Sequence, residues 1–175
     1  MDDSTPRPAK SRKELALRLC VLLAATGAGA ADPVPAGSGT FTVGTSRYTF
    51  ADAVAFQTTR LNSSPGERMT VVVLTPDPID RKRVAAAVDA DGNWTGSEHK
   101  VRFILRFDSG GKLAFGMFQG DAKNIGLMRL ASVASEVSVS DDQAKGRAAL
   151  AQPADFLGEP YTFDLSFQAV VVARP

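Results

Sequence analysis

The sequence predicts an all-β domain: an antiparallel β-sandwich, with a flattened barrel as the alternative, carrying one short helix and preceded by a signal peptide. Near the C-terminus Tyr161, Phe163, Leu165, Phe167, Ala169 and Val171 alternate with Thr162, Asp164, Ser166 and Gln168, the period-two pattern of a strand with one apolar face. Val101, Phe103, Leu105 and Phe107 alternate in the same way with Arg102, Ile104 and Arg106, and Ser109-Gly110-Gly111 turns the chain into Leu113, Phe115 and Met117. Turn-forming residues recur about every ten positions, the spacing of a chain of eight or nine short strands.

In chain order, residues 1–31 read as the signal peptide. Arg7, Lys10, Arg12 and Lys13 form a basic start, and the 13 positions from Leu19 to Ala31 carry no charge, fewer than the roughly 18 to 20 that span a bilayer. Ala28-Gly29-Ala30 offers the small residues a signal peptidase requires, so cleavage is expected after Ala30 or Ala31. Ser11-Arg12-Lys13-Glu14-Leu15 resembles a twin-arginine signal whose second Arg is Lys, which leaves both export routes open. Cys20 lies inside the apolar run and not after a small residue, which argues against a lipid anchor. Pro33, Pro35 and Gly37 make 32–39 an extended leader, and the single domain runs over 40–175.

Within that domain Thr40 to Val43 and Arg47 to Phe50 read as a hairpin, with Ala51 to Thr58 continuing its second strand. Met69 to Leu74 is a continuous β-branched run expected to be buried on both faces. Pro76 and Pro78 stop it, and Arg81 to Val88 is the expected helix, capped by Asp80 and placed to cover that strand. Asp89 to Ser97 is a polar loop holding Trp94. Past the central hairpin, strands are expected at Leu127 to Val133, Glu136 to Ser140 and Gly146 to Ala151, with Asp141-Asp142 as a turn. Val170 and Val172 interrupt the polar side of the last strand, so both of its faces should be covered there.

Charge and composition narrow the function. The 175-residue chain balances 20 basic against 19 acidic residues, and removal of residues 1–31 takes five basic and three acidic ones, leaving a net charge of −1. A nucleic-acid binder is not expected from that balance. Cleavage also removes the one Cys, so thiolate metal sites, cysteine nucleophiles and redox switching are excluded from the mature chain.

The remaining polar candidates are few. His99 is the only imidazole, so any Ser-His-Asp arrangement must use it, but its neighbours Glu98 and Lys100 mark an exposed strand end, and no Gly-x-Ser-x-Gly elbow accompanies it. Asp89, Asp91 and Asn93 have the spacing of a calcium loop, yet Trp94 and Lys100 stand where that loop needs Gly and Glu. Asp77 with Asp80, and Asp141 with Asp142, are carboxylate pairs of the kind used in acid–base work, but turn and cap duties explain both pairs. Ser109-Gly110-Gly111-Lys112 lacks the helix and hydroxyl of a phosphate loop, and Arg81-Lys82-Arg83 lacks interleaved aromatics. Asp77, Asp80, Arg81, Arg83, Trp94 and His99 are therefore the candidate surface residues, with no cofactor and no metal expected. The function expected is that of a periplasmic or secreted, non-enzymatic bacterial β-domain binding a protein or a cell-envelope component, without a transmembrane anchor once the signal is cleaved. A small carboxylate-dependent hydrolase or ligand-binding enzyme is the alternative.

Overall fold

In the computed structural model, residues 36–59, 66–89, 92–120, 123–127, 130–140 and 142–172 are described, so the expected signal peptide and most of the expected leader lie outside the described residues. The chain is mostly β. Its strands are β1 (Gly37–Val43), β2 (Ser46–Phe50), β3 (Asp52–Thr58), β4 (Met69–Thr75), β5 (Arg102–Phe107), β6 (Leu113–Gly120), β7 (Lys123–Gly126), β8 (Val133–Val139), β9 (Gln143–Leu150), β10 (Ala154–Phe156) and β11 (Glu159–Val172). They belong to one eleven-stranded sheet whose main path runs β2-β1-β11-β3-β4-β5-β6-β7, with β9, β8 and β10 branching from β11. The path ends at β2 and β7, which do not pair, so the sheet is open and the closure that the alternative, a flattened barrel, requires is not formed among the described residues.

The sheet is mixed and not purely antiparallel as expected. Val171 and Val172 of β11 pair parallel to Ala55 and Phe56 of β3. The cause is local: only Ala51 separates β2 from β3, too short a link to reverse the chain, so β3 keeps the direction of β2 and is a strand of its own. Both β2 and β11 run antiparallel to β1, hence β3 and β11 run alike.

The first strand starts at Gly37, inside the stretch expected to be leader. Glycine makes this possible, because Gly39 adopts φ +126° and a Cβ there would overlap the Asp164 carbonyl oxygen of β11. The alternation in 161–171 is borne out: Tyr161, Phe163, Leu165, Phe167 and Ala169 are buried. Across from them, Phe41 stacks on Phe118 at 4.3 Å, Phe103 meets Phe163 at 5.2 Å and Phe107 meets Phe167 at 5.8 Å. The apolar face of β1 and β11 thus packs on that of β5 and β6, and Phe rings fill the space between.

A second, smaller cluster lies on the opposite face of β3, β4 and β5. Every residue of β4 is buried, as the continuous run implies, because Ile79, Val84, Ala87 and Trp94 cover Val54, Phe56, Val71, Val73 and Ile104. The covering segment is not the expected helix over Arg81 to Val88 but two 3-10 turns, Arg81–Arg83 and Ala85–Ala87. Asp80 caps the first as expected, accepting from Lys82 N at 3.0 Å. Three cations at the positive end of so short a segment oppose an α-helical nucleus.

The expected strands at 127–133, 136–140 and 146–151 are shifted. Lys123–Gly126 is β7, a 3-10 turn occupies Leu130–Ser132, and β8 and β9 meet through a bond from Ser140 N to Gln143 O of 2.8 Å. Lys123–Gly126 offers only Ile125 to the interior, too little apolar pattern to be recognised. Val170 is 57% exposed, against the expectation that both faces are covered there, whereas Val172 is half-buried against the smaller cluster.

Candidate functional site

Arg102 opens β5 on the face opposite Phe103, and the strand register aligns it with Gln119 of β6, which in turn aligns with Asn124 of β7. These three side chains form a polar cross-strand row at one end of the sheet. Arg102 Nε donates to Gln119 Oε1 at 2.6 Å, and its Nη1 donates to the Gly96 carbonyl and, at 3.3 Å, to the His99 carbonyl. The guanidinium therefore organises the loop that leads into β5. Burial lowers its pKa from the ordinary value, and no described carboxylate pairs with it.

The groove over this row has a volume of about 480 Å³ and is lined by His99, Lys100, Arg102, Gln119, Lys123 and Asn124 among others, with no carboxylate among its described lining residues. On a chain whose formal charge is only +1, this is a local concentration of basic groups. Lys123 Nζ donates to both oxygens of Glu159, at 2.7 and 3.0 Å, which ties β7 to the start of β11. Two residues before Glu159, at the β10–β11 turn, Leu157 stands 90% exposed with φ +55°. It is the one described non-glycine residue in the left-handed region, an arrangement that costs about 1–2 kcal/mol for a residue with a Cβ.

His99, expected at an exposed strand end, is only 8% exposed, its backbone clamped by Arg102. Among the described residues no hydroxyl nucleophile bonds its ring. Trp94, also expected at the surface, is 6% exposed and stacks on Phe56 at 6.4 Å. Its ring packs against Gly96, where an added Cβ would meet it at 2.8 Å, so the sole Trp touches the residue whose carbonyl Arg102 holds. Its Nε1 is buried without an acceptor among the described groups.

The other candidates lie elsewhere and do not join His99. Arg81 forms an ion pair with Asp52 and donates to the Ile79 carbonyl at 2.7 Å and the Ala53 carbonyl at 3.1 Å. Asp52 also accepts from Ile79 N and Ala53 N, each at 2.8 Å. Burial pushes the Asp52 pKa up, but the Arg81 hydrogen bond, the two backbone donors and the Arg81 charge together hold it below its ordinary value. Asp77 is exposed and offers its backbone carbonyl to Thr75 Oγ1 at 2.6 Å, Asp80 serves as the cap, and Arg83 is exposed. Asp89 is consumed by its own turn, accepting from Asn93 N at 2.8 Å, while Asn93 Oδ1 accepts from Arg106 Nη2 at 3.0 Å. Asp91 and Asp141 lie outside the described residues, and Asp142 accepts from Ser140 Oγ at 2.6 Å. Among the described residues no group of three or more His, Cys, Asp or Glu is placed to hold a metal, and no helix is long and apolar enough to cross a membrane.

A larger groove of about 780 Å³ crosses the outer face of β8, β9 and β11, but Glu136 and the Arg147–Asp164 pair offset its cations. The groove around Arg102 is lined by Lys100, Arg102 and Lys123 without a lining carboxylate, and of these Lys123 is paired with Glu159. Strand alternation puts Arg102 on the outer face of β5, but Gln119, Lys123 and Asn124 escape a reading of the sequence, since their meeting depends on a register that the short polar β7 does not announce. In comparisons with known proteins, no family model, curated protein or solved structure matches this chain.

Proposed function

We propose that the chain is a bacterial periplasmic or secreted protein whose residues 1–31 are removed as a signal peptide. In this reading the remainder is a non-enzymatic β-sandwich, its layers centred on β1–β11 and on β3–β7, that binds a protein or another component of the cell envelope. The observation that carries the reading is a groove lined by Lys100, Arg102 and Lys123, with a strained, solvent-facing Leu157 two residues along the chain from the Glu159 that pairs with Lys123. The left-handed leucine is 90% exposed, and Arg102, although it holds Gln119 and two loop carbonyls, loses hydration without gaining a carboxylate. An acidic partner with an apolar side chain would offset both.

Thermal unfolding of the full chain across a ligand panel of calcium, neutral sugars, peptidoglycan fragments and acidic peptides tests the reading. A binding anion at a hundred times its Kd should raise Tm by on the order of 5–10 °C. The shift should disappear in a Lys100→Glu/Lys123→Glu variant. No shift anywhere in the panel, or one that survives this charge reversal, refutes the reading.

A further inference from the structure

We propose that the groove receives an acidic, extended segment of a partner protein, which joins the open edge of β7 as an added strand. This rests on the reading of the chain as a binding domain and supplies the partner's chemistry and its mode of docking.

Just beyond β7, the Leu127 N–H donates to the Gly116 carbonyl at 2.8 Å. Antiparallel pairs alternate between hydrogen-bonded and non-bonded, so in the β6–β7 register Lys123 and Ile125 face β6, while Asn124 and Gly126 direct their N–H and C=O groups to the far side. Among the described residues no strand takes that far side. Asn124 is exposed, and a Cβ built on Gly126 would meet nothing within 4 Å, so the approach is open.

The edge of β8, by contrast, is blunted. Ser140 N bonds Gln143 O, and the same alternation along β8 directs the carbonyl of Val137 outward. There it meets the β5–β6 turn, where a Cβ on Gly111 would lie 2.7 Å from that oxygen. The β7 edge has no such obstruction, and it runs beside Lys100, Arg102 and Lys123. Sheet-edge addition draws affinity from main-chain bonds and specificity from alternate side chains. A strand laid on β7 presents one set of side chains to the Arg102–Gln119–Asn124 row, which fits acidic residues at alternate positions, while Lys123 on the other side is held by Glu159. Leu157, two residues along the chain from the Glu159 that holds Lys123, leaves an apolar side chain exposed.

The test uses the full chain with an N-acetylated peptide of about ten alternating Thr and Glu residues, enough to span one strand. Its Thr-Gln counterpart, a Thr-Glu peptide N-methylated at alternate residues, and vesicles of anionic phospholipid complete the set. Trp94 fluorescence reports binding through Gly96, and hydrogen exchange reports the amides of Asn124 and Gly126. The Thr-Glu peptide is expected to bind and to slow exchange at both amides, with the neutral and the N-methylated peptides about tenfold or more weaker. Asn124→Pro removes only an edge donor, a tolerated change at an edge strand, and should weaken binding by a similar factor. If that variant does not fold, the N-methylated peptide tests the same bonds from the ligand side. Equal binding of the neutral peptide, binding without amide protection, or binding undiminished by N-methylation overturns strand addition. Vesicles that bind through Lys100 and Lys123 while the peptide does not would overturn it too and leave the binding domain standing. Silence from every probe here and in the thermal panel sinks both.

Discussion

The two apolar clusters of this protein are built differently. The inner one packs aromatic rings from β1, β5, β6 and β11 against one another with no charged group among its buried members. The outer one is a strap of irregular chain laid over β3, β4 and β5, and it holds the Asp52–Arg81 ion pair at its rim and an unsatisfied Trp94 Nε1. Regular strands satisfy their own backbone, so the inner cluster needs only shape. The strap must find partners for its irregular backbone, and Asp52 and Arg81 provide two at Ile79, its N–H and its carbonyl, while also binding the Ala53 N–H and carbonyl of β3. The strap should therefore open as a local unit well below the free energy of global unfolding.

Truncation of the inner cluster gives the largest effect. Phe103→Ala should cost about 3–5 kcal/mol and lower exchange protection throughout the sheet, measured by denaturant unfolding and hydrogen exchange. A loss confined to residues 76–99 would show that the two clusters are not separable in this way. Asp52→Asn should cost about 1–3 kcal/mol, with exchange accelerating first in the strap and only later in β5 and β6.

Acid should mimic that substitution. A folded-state pKa held below the ordinary 3.8 stabilises above that value and ceases to do so as pH falls through the folded pKa. Strap protection is expected to fall below about pH 3.8 while the inner amides hold, and the Asp52→Asn variant, which has no carboxylate to protonate there, should lack this step. Leu157→Asn, which suits the left-handed region, should raise stability by about 1 kcal/mol and weaken partner binding at the same time. A loss of stability would mean that the leucine belongs to the fold. Least of all, Arg147→Ala should leave Tm unchanged in about 0.15 M salt, since Arg147 and Asp164 are 61% and 55% exposed.

Strands whose side chains alternate strictly are legible in the sequence, and so is the doubly buried β4, because burial on one or two faces writes directly into residue order. Gly37 and Gly39 mislead in the opposite direction: a glycine that reads as flexible leader is required there for backbone to approach backbone. The segment 81–88 has a helical composition in its alanines, but the Asp52 side chain that captures Arg81 comes from a strand 29 residues earlier, and no local pattern records it. The candidate site hides in a similar way. His99 and Trp94 look polar or surface-bound from their neighbours, yet a clamp from Arg102 and a stack on Phe56 draw both inward. Gln119 and Asn124 become neighbours of Arg102 only through register, a property of paired strands and not of any one of them.

Among the described strands β11 comes latest in the chain, and β1, β3, β9 and β10 all pair with it. A nascent chain emerging from the ribosome consequently has no complete sheet to settle into until β11 appears. Its early strands must wait with their edges unpaired, which favours slow maturation and a reliance on holding factors.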